Sequence, residues 1–318
     1  MTRPLRAFLS AAATLLLCLP VARLRADVLY VTNANTNTIE RFDKTGAGTV
    51  FVGTGLSAPT GLAFDSLGNL FAANAVGNTI EKFTSSGGAS LFASIGLSTP
   101  VGLAFDKAGN LYVANRNNNT IEKYTPDGAG SVFASTGLSR PLGIAFDSAD
   151  NLYVANVLGN TIEKFTPAGL GSVFATTGLA SPAGLVFDGA GNLYVANGNG
   201  SIERFTSDGV PSLFASTGLN NPIGLAFDST GNLYAVNKGD NTIEKFTPNG
   251  VGSEFASVGL SSPEYLAFTD DAGVPLKLLN QVPEPSSLVL TLAAVATLCA
   301  MRGRPSWKSR MTKAERRW

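Results

Sequence analysis

The sequence predicts an all-β protein, a six-bladed β-propeller with four short strands in each blade. A unit of about 41 residues recurs through the middle of the chain, so that Asn33, Asn74 and Asn115 are each 41 residues apart. Each unit contains four β-rich runs, GLAFD, NLYVAN, TIEKF and SVFAS, separated by Gly, Asn, Asp or Pro. Four strands in a repeat of this length are typical of a propeller blade.

The number of TIEKF-like runs predicts the number of blades. Six such runs begin at Thr38, Thr79, Thr120, Thr161, Ser201 and Thr242. The first unit lacks a GLAFD-like strand, whereas a matching run, YLAF at 265–268, is left over at the far end. We therefore expect the C-terminal strand to pair with the N-terminal strand that starts near Val28. This pairing would close the ring and leave no open sheet edge.

The N-terminal residues 1–26 are typical of a signal peptide. Arg3 and Arg6 precede an apolar run over 7–19, and we expect cleavage after Ala26. An uncleaved anchor is the alternative, but the apolar run is short for a membrane span. These boundaries predict an exported propeller over 27–268, followed by a linker over 269–282.

A second apolar run lies near the C-terminus, over 288–301, and contains 14 residues without a charge. As a helix it would reach about 21 Å, against a hydrocarbon thickness of about 30 Å. Seven basic residues follow it: Arg302, Arg304, Lys308, Arg310, Lys313, Arg316 and Arg317. Because such a cluster stays in the cytoplasm, we expect a short transmembrane helix over 288–301 with a basic cytoplasmic tail.

Pro283, Glu284 and Pro285, the apolar run and the basic tail together resemble a PEP-CTERM sorting signal over 283–318. The resemblance implies recognition by an exosortase, a membrane transpeptidase-like enzyme of Gram-negative bacteria. The precursor would be anchored in the inner membrane with its body in the periplasm. Processing would then deliver the body to the cell surface or the extracellular space, often in the company of extracellular polysaccharide.

The composition of the chain excludes several kinds of chemistry. The sequence has no histidine, so Ser-His-Asp and Cys-His catalysis and imidazole metal ligands are excluded. Cys18 and Cys299 lie in the apolar terminal segments, so the body has no disulfide, zinc cluster or thiol nucleophile. Residues 27–281 carry 12 basic and 21 acidic side chains, a net charge of −9. An acidic body repels phosphate, and we expect no nucleic-acid partner.

The motif D-x-x-G-N recurs in the unit and predicts a tight turn. The Asp carboxylate would cap the turn, and the Gly, replaced by Asp150 in one copy, would take the left-handed conformation. A calcium site is the alternative, although each turn offers one carboxylate where calcium needs six or more oxygens. The recurring pair Glu-Lys or Glu-Arg, from Glu40-Arg41 to Glu244-Lys245, is interpreted as a belt of charges between blades.

The repeated unit resembles NHL-type repeats over about 240 residues, although typical copies have Asp where this chain repeats the Asn of YVAN. Propellers of this group include extracellular sensor domains, streptogramin-lyase-like proteins and gluconolactonase-type enzymes. The lyase resemblance implies a catalytic histidine, which this chain lacks. The lactonase resemblance implies acidic and Asn ligands around a metal on the propeller axis.

Two sets of loops should meet on one face near the axis, which is the usual binding surface of a propeller. The residue between Pro and Gly in the motif S-x-P-x-G is Thr60, Val101, Leu142, Ala183, Ile223 or Glu264. Five of these six are poor metal ligands, so we expect no metal or cofactor. Polar residues that break the repeat here are candidate binding residues, with neutral drift as the alternative: Arg116, Asn117, Asn118, Lys238, Asp240 and Glu264.

The repeated Asn of YVAN is also a candidate for the binding face, represented by Asn33, Asn74 and Asn156. We expect these side chains to satisfy backbone groups of the loops, and a ring of ligands is the alternative. The favoured function is a non-catalytic surface module that binds extracellular polysaccharide or a protein. The alternative is a metal-assisted hydrolase or lyase that uses Glu264. High identity between repeats favours the first, because catalysis usually requires one blade to differ.

Overall fold

The computed structural model describes residues 27–271 and 273–276, which form 24 β-strands. The strands assemble into six four-stranded antiparallel sheets, the blades of a β-propeller. The expected signal peptide (1–26), the sorting signal (283–318) and its transmembrane helix (288–301) lie outside the described residues. Within the described ranges, no helix is long and apolar enough to cross a membrane.

The strands of the first three blades, named in the order in which they pair, have the following bounds. Blade 1 contains β24 (Pro263–Asp270), β1 (Asp27–Asn33), β2 (Thr38–Phe42) and β3 (Gly48–Val52). Blade 2 contains β4 (Pro59–Phe64), β5 (Leu70–Asn74), β6 (Thr79–Phe83) and β7 (Ala89–Ala93). Blade 3 contains β8 (Pro100–Phe105), β9 (Leu111–Asn115), β10 (Thr120–Tyr124) and β11 (Gly130–Ala134).

The remaining three blades follow the chain in the same way. Blade 4 contains β12 (Pro141–Phe146), β13 (Leu152–Asn156), β14 (Thr161–Phe165) and β15 (Gly171–Ala175). Blade 5 contains β16 (Pro182–Phe187), β17 (Leu193–Asn197), β18 (Ser201–Phe205) and β19 (Pro211–Ala215). Blade 6 contains β20 (Pro222–Phe227), β21 (Leu233–Asn237), β22 (Thr242–Phe246) and β23 (Gly252–Ala256).

The hydrophobic core is divided into six clusters, and each cluster lies between two neighbouring blades. Tyr112 of blade 3 shows how they are built: its ring meets Phe133 of its own blade and Phe146 of blade 4 edge to face, with centroids 4.9 Å apart. Edge-to-face pairs of this kind contribute beyond their buried area. The second strand of each blade is buried throughout or nearly so, whereas the fourth strand is largely exposed.

Blade 1 is assembled from both ends of the described chain, because β24 pairs antiparallel with β1. The register runs from Asp27 opposite Asp270 to Asn33 opposite Pro263. One face of this blade packs on blade 6 and the other on blade 2. Leu266 of β24 is 5% exposed, similar to its counterpart Leu225 in blade 6 at 6%.

Paired structure continues beyond 268, where the linker was expected to begin. The strand β24 extends to Asp270, and Thr269 forms a further bridge with Pro275. Asp270 accepts a hydrogen bond from the backbone N–H of Val274 (2.8 Å), and Gly273 has a φ of 77°. This is another copy of the Asp-x-x-Gly turn, so the folded unit includes part of the segment that the sequence assigned to the linker.

The D-x-x-G-N turns have the predicted conformation. The φ angles of Gly68, Gly109, Gly191 and Gly231 lie between 83° and 84°, and that of Asp150 is 60°. In one copy the Asp106 carboxylate accepts hydrogen bonds from the backbone N–H (2.8 Å) and the side-chain amide (2.7 Å) of Asn110. Each Asp therefore caps its turn, as expected from its position.

The interpretation of the Glu-Lys pairs as a belt between blades is wrong. The Lys amino groups lie 3.6 to 3.8 Å from the capping Asp of their own blade (Lys82–Asp65, Lys123–Asp106, Lys164–Asp147 and Lys245–Asp228). The neighbouring Glu points to the opposite face of the strand, because successive side chains alternate. Glu122 is only 5% exposed and lies beside Gly96 of the preceding loop, and burial raises the pKa of its carboxyl.

The repeat supplies a matched pair of substitutions for the pairing of the two chain ends. If β24 closes the ring, Leu266→Ala should lower the free energy of unfolding of the full chain by about 2–5 kcal/mol, since it leaves a core cavity. The matched control is Leu225→Ala in blade 6, which is continuous in sequence and should lose a similar amount. Urea unfolding measures both, and a Leu266→Ala variant as stable as the wild type would contradict closure by β24.

Candidate functional site

A cavity of about 260 Å³ lies where the six blades meet around the propeller axis. Strand order places its lining at one end of the blades, where each blade connects to the next and the second strand turns into the third. All six residues between Pro and Gly in the repeated motif line it, and each lies on the first-named strand of its blade, which we call the inner strand. They are Thr60, Val101, Leu142, Ala183, Ile223 and Glu264. We call this space the axial cavity.

The walls of the axial cavity are mostly aliphatic or small. Beyond the six inner-strand residues, the loops contribute Ala75, Thr99, Arg116, Val157, Ser181, Gly198, Asn221 and Lys238. Among the described residues that line the cavity, charged groups are confined to three positions, Arg116, Lys238 and Glu264. All three are among the residues at which the repeat is broken, so the structure brings these candidates together in one cavity.

The inner strands pack closely against one another around the axial cavity. A Cβ atom built on Gly61 would lie 1.9 Å from the carbonyl oxygen of Val101 in the next blade. The same clash with the next blade's carbonyl, at 2.0 to 2.8 Å, would occur at Gly102, Gly143, Gly184 and Gly224. Backbone therefore packs directly on backbone at these glycines. On each inner strand, the residue directly before the glycine is the one whose side chain lines the cavity.

Blade 1 departs from this rule, because Tyr265 occupies the position of the glycine. Thr32, where four of the other blades have Ala and one has Val, bridges the junction. Its hydroxyl donates to the carbonyl of Thr60 (2.7 Å) and accepts from the backbone N–H of Tyr265 (3.1 Å). The Tyr265 hydroxyl is buried and has no hydrogen-bond partner within the described ranges, and burial raises the pKa of this phenol.

Glu264 and Lys238 form an ion pair at the edge of the cavity between blades 1 and 6. Glu264 is 8% exposed, whereas the Lys238 side chain is more than a third exposed. Burial raises the pKa of the Glu264 carboxyl, and the adjacent Lys238 charge opposes that shift. Only a pair can be held here, because an isolated buried carboxylate would be costly.

Arg116 lies on blade 3, three blades away from Lys238 and therefore across the axis. It is half-buried, and its backbone N–H donates to the carbonyl of Thr99 (3.1 Å). In the part of the chain that the structure describes, its guanidinium makes no hydrogen bond or ion pair. The cavity thus has a neutral ion pair on one side and an uncompensated cation on the other.

The other candidates outside the repeated Asn set lie at the loop tips and are exposed. Asn117 donates to the hydroxyl of Thr99 (2.7 Å), a residue that lines the cavity. Asn118 and Asp240 accept hydrogen bonds from the hydroxyls of the nearby residues Thr120 and Thr242. None of these three side chains lines the cavity. Of the three, Asn117 alone forms a side-chain hydrogen bond with a residue that lines it, Thr99.

The side chain of the repeated Asn of YVAN holds the loops in place through hydrogen bonds. Asn115 is fully buried; its side-chain oxygen accepts from the N–H of Ser98 (3.0 Å). Its amide donates to the carbonyl of Gly96 (2.8 Å) and the hydroxyl of Thr120 (3.1 Å). The candidates Asn33, Asn74 and Asn156 make the same contacts in their blades. Their side chains are thus occupied within the protein, which agrees with the structural interpretation and not with a ring of ligands.

A second set of asparagines was missed by the sequence interpretation. Each precedes a TIEKF-like strand, and its side-chain oxygen accepts, at 2.7 Å, from the backbone N–H of the residue before the repeated Pro in the next loop. The pairs, with the N–H donor named first and the accepting Asn second, are Ala58 and Asn37, Thr99 and Asn78, Arg140 and Asn119, Ser181 and Asn160, and Ser262 and Asn241. Both partners have φ between 48° and 60°. The sequence signal that could have predicted these asparagines is the recurring Asn-Thr directly before Ile-Glu.

The described residues that line the cavity include one carboxylate, that of Glu264. Within residues 27–271 and 273–276, no group of three or more Cys, Asp and Glu side chains is placed to hold a metal ion. The arrangement can position a small ligand by charge and shape. It offers a guanidinium, an ammonium that is already paired, and aliphatic walls.

Comparisons with known proteins agree with the fold. An NHL repeat model matches residues 97–124. A structure of a nidogen/laminin complex aligns with a TM-score of 0.69 at 21% identity, over 76% of this chain and 98% of the other. Virginiamycin B lyase from Staphylococcus aureus has a TM-score of 0.61 at 20% identity, over 78% and 89%. A gluconolactonase from Xanthomonas campestris has 0.60 at 16%, over 76% and 91%. At these identities the likeness concerns the fold alone. No curated protein sequence matches the chain.

The role of the repeated Asn can be tested by Asn115→Ala. The substitution leaves the Ser98 N–H and the Gly96 carbonyl without their partner, and each such loss costs about 1–3 kcal/mol. We expect the free energy of unfolding to fall by at least about 2 kcal/mol in urea titrations. Asn117→Ala, two residues further on at the exposed loop tip, is the matched control and should be nearly neutral. Equal stability of the two variants would refute a structural role for Asn115.

Proposed function

We propose that this protein is an exported, non-catalytic binding module that holds a partner at the axial cavity. The observation that carries the proposal is the location of the changes between repeats. Arg116 and Lys238 both follow the repeated Asn, where the other four blades have Ala, Val or Gly, and Glu264 stands where the other blades have uncharged residues; all three line the same cavity. Three charged side chains that meet in one concave site support a binding surface at this end of the blades.

The delivery of the module is part of the proposal. The signal peptide (1–26) directs export, and the chain is held in the inner membrane through 288–301 before processing. An exosortase then acts at the segment that contains Pro283, Glu284 and Pro285. The propeller reaches the cell surface or the extracellular space, where its partner is extracellular polysaccharide or another protein. Because the body has no cysteine, the exported form would have to be stable through its core alone.

A metal-assisted hydrolase or lyase is the second candidate function. It is favoured by the fold shared with virginiamycin B lyase and gluconolactonase, and by the presence of Glu264 in the cavity. Two features of the chain speak against it. The sequence has no histidine, and the single carboxylate of the cavity is already paired with Lys238. A binding role requires neither a general base nor a metal.

Both parts of the proposal can be tested in one exosortase-containing Gram-negative bacterium that makes extracellular polysaccharide. Intact-mass measurement of the mature surface form should give a chain that starts at Asp27 and ends near Pro283. Replacement of Pro283, Glu284 and Pro285 by Ala should leave the chain in the membrane fraction. Mature surface protein that extends to Trp318 would contradict the sorting proposal.

The binding part uses the fraction of mature protein that stays with the surface matrix after washing. The triple variant Arg116→Gln/Lys238→Gln/Glu264→Gln should be processed normally but released into the medium. Lys44→Gln is the control; it changes the net charge by the same amount at the opposite end of the blades, in the turn between β2 and β3. Equal retention of the triple variant and the control would contradict binding through the axial cavity.

A further inference from the structure

We propose that the axial cavity binds a small organic monocarboxylate with an aliphatic body, and that Arg116 receives its carboxylate group. This inference rests on the proposed function, because it names the chemical group with which the extracellular partner would enter the same site, a carboxylate on a short aliphatic segment. Three features of the cavity carry it: the balance of its charges, the chemistry of its walls, and its size.

The charge balance favours a single negative charge. Lys238 and Glu264 neutralise each other, so Arg116 leaves the cavity with a net charge of +1. A guanidinium presents a planar fork of N–H donors that matches the two oxygens of a carboxylate. Since no described residue occupies this fork, Arg116 is available to bind an anion that enters from solvent.

The ion pair also fixes the direction in which such an acid can lie. Glu264 is held at its position by Lys238, and its carboxylate would repel a second carboxylate placed beside it. The favourable end for the ligand's charge is thus the opposite wall, at Arg116. The rest of the ligand then crosses the axis toward blades 4 to 6.

The walls between these two ends are aliphatic. Val101, Leu142 and Ile223 face the cavity from the inner strands, and Val157 faces it from a loop. No aromatic side chain is among the described residues that line it. The chemistry of these walls therefore suits an alkyl chain better than a sugar ring.

The size of the cavity limits the ligand to a small acid. Its volume is about 260 Å³. Pockets that bind small molecules typically measure about 300–1,000 Å³, so this one lies near the small end of that range. A straight-chain acid of about six carbons can be accommodated, whereas a folded peptide or an oligosaccharide could insert only its end.

The test is calorimetric titration of the full chain with hexanoate, with the neutral isostere hexanamide, and with glucuronate as a carboxylate on a polar ring. We expect hexanoate to bind at least about tenfold more tightly than either of the others, since a charge-assisted contact and an apolar contact are both needed. Arg116→Gln should weaken hexanoate about tenfold or more without changing hexanamide. Arg116→Lys, which keeps the charge but loses the fork, should be intermediate.

Three results would overturn the inference: no detectable hexanoate binding, hexanoate binding unchanged in a folded Arg116→Gln variant, or glucuronate bound as tightly as hexanoate. The last would point to an acidic polysaccharide as the occupant. Lys44→Gln should bind hexanoate as the wild type does. Failure of this inference can be distinguished from failure of the proposed function. If the triple variant loses surface retention but the wild type does not bind hexanoate, only the ligand class is refuted. If the wild type binds hexanoate but the triple variant is retained normally, only the surface role is refuted.

Discussion

The close approach of the inner strands around the axis is the constraint on which the rest of the structure depends. At Gly61, Gly102, Gly143, Gly184 and Gly224, no Cβ atom fits against the next blade's backbone. The strands therefore meet backbone to backbone, and one side chain per blade is turned into the axial cavity. The cavity is small, and its chemistry is determined by these six inner-strand positions together with the loop residues that follow the second strands.

The junction between the first and last described strands is where the repeat changes most. Tyr265 replaces the glycine, Thr32 bridges the backbones of blades 1 and 2, and Glu264 puts a carboxylate into an otherwise uncharged ring of inner-strand positions. Lys238 of blade 6 then neutralises that carboxylate. Assembly of blade 1 from two distant segments and the asymmetry of the cavity thus occur at one place, and Arg116 across the axis completes that asymmetry.

Much of the fold could be predicted because a 41-residue period reports strands, turns and blades directly. The capping Asp, the left-handed Gly and the convergence of Arg116 and Glu264 followed from position within the unit. The interpretation of the Glu-Lys pairs as charges between blades was wrong because adjacent side chains on a strand point to opposite faces. Lys123, for example, contacts Asp106 of its own blade. The link from Asn78 to the loop of the next blade depends on how blades pack, which one unit of sequence does not contain.

The measurement that tests the packing constraint most directly is the urea unfolding of Gly143→Ala. A Cβ at this position would lie 2.1 Å from the Ala183 carbonyl oxygen, so the inner strands of blades 4 and 5 must separate. We expect the free energy of unfolding to fall by about 3 kcal/mol or more. Gly53→Ala, whose new Cβ would meet nothing closer than 3.9 Å, should change it by less than about 0.5 kcal/mol. If Gly143→Ala is as stable as Gly53→Ala, backbone packing around the axis is not what determines this structure.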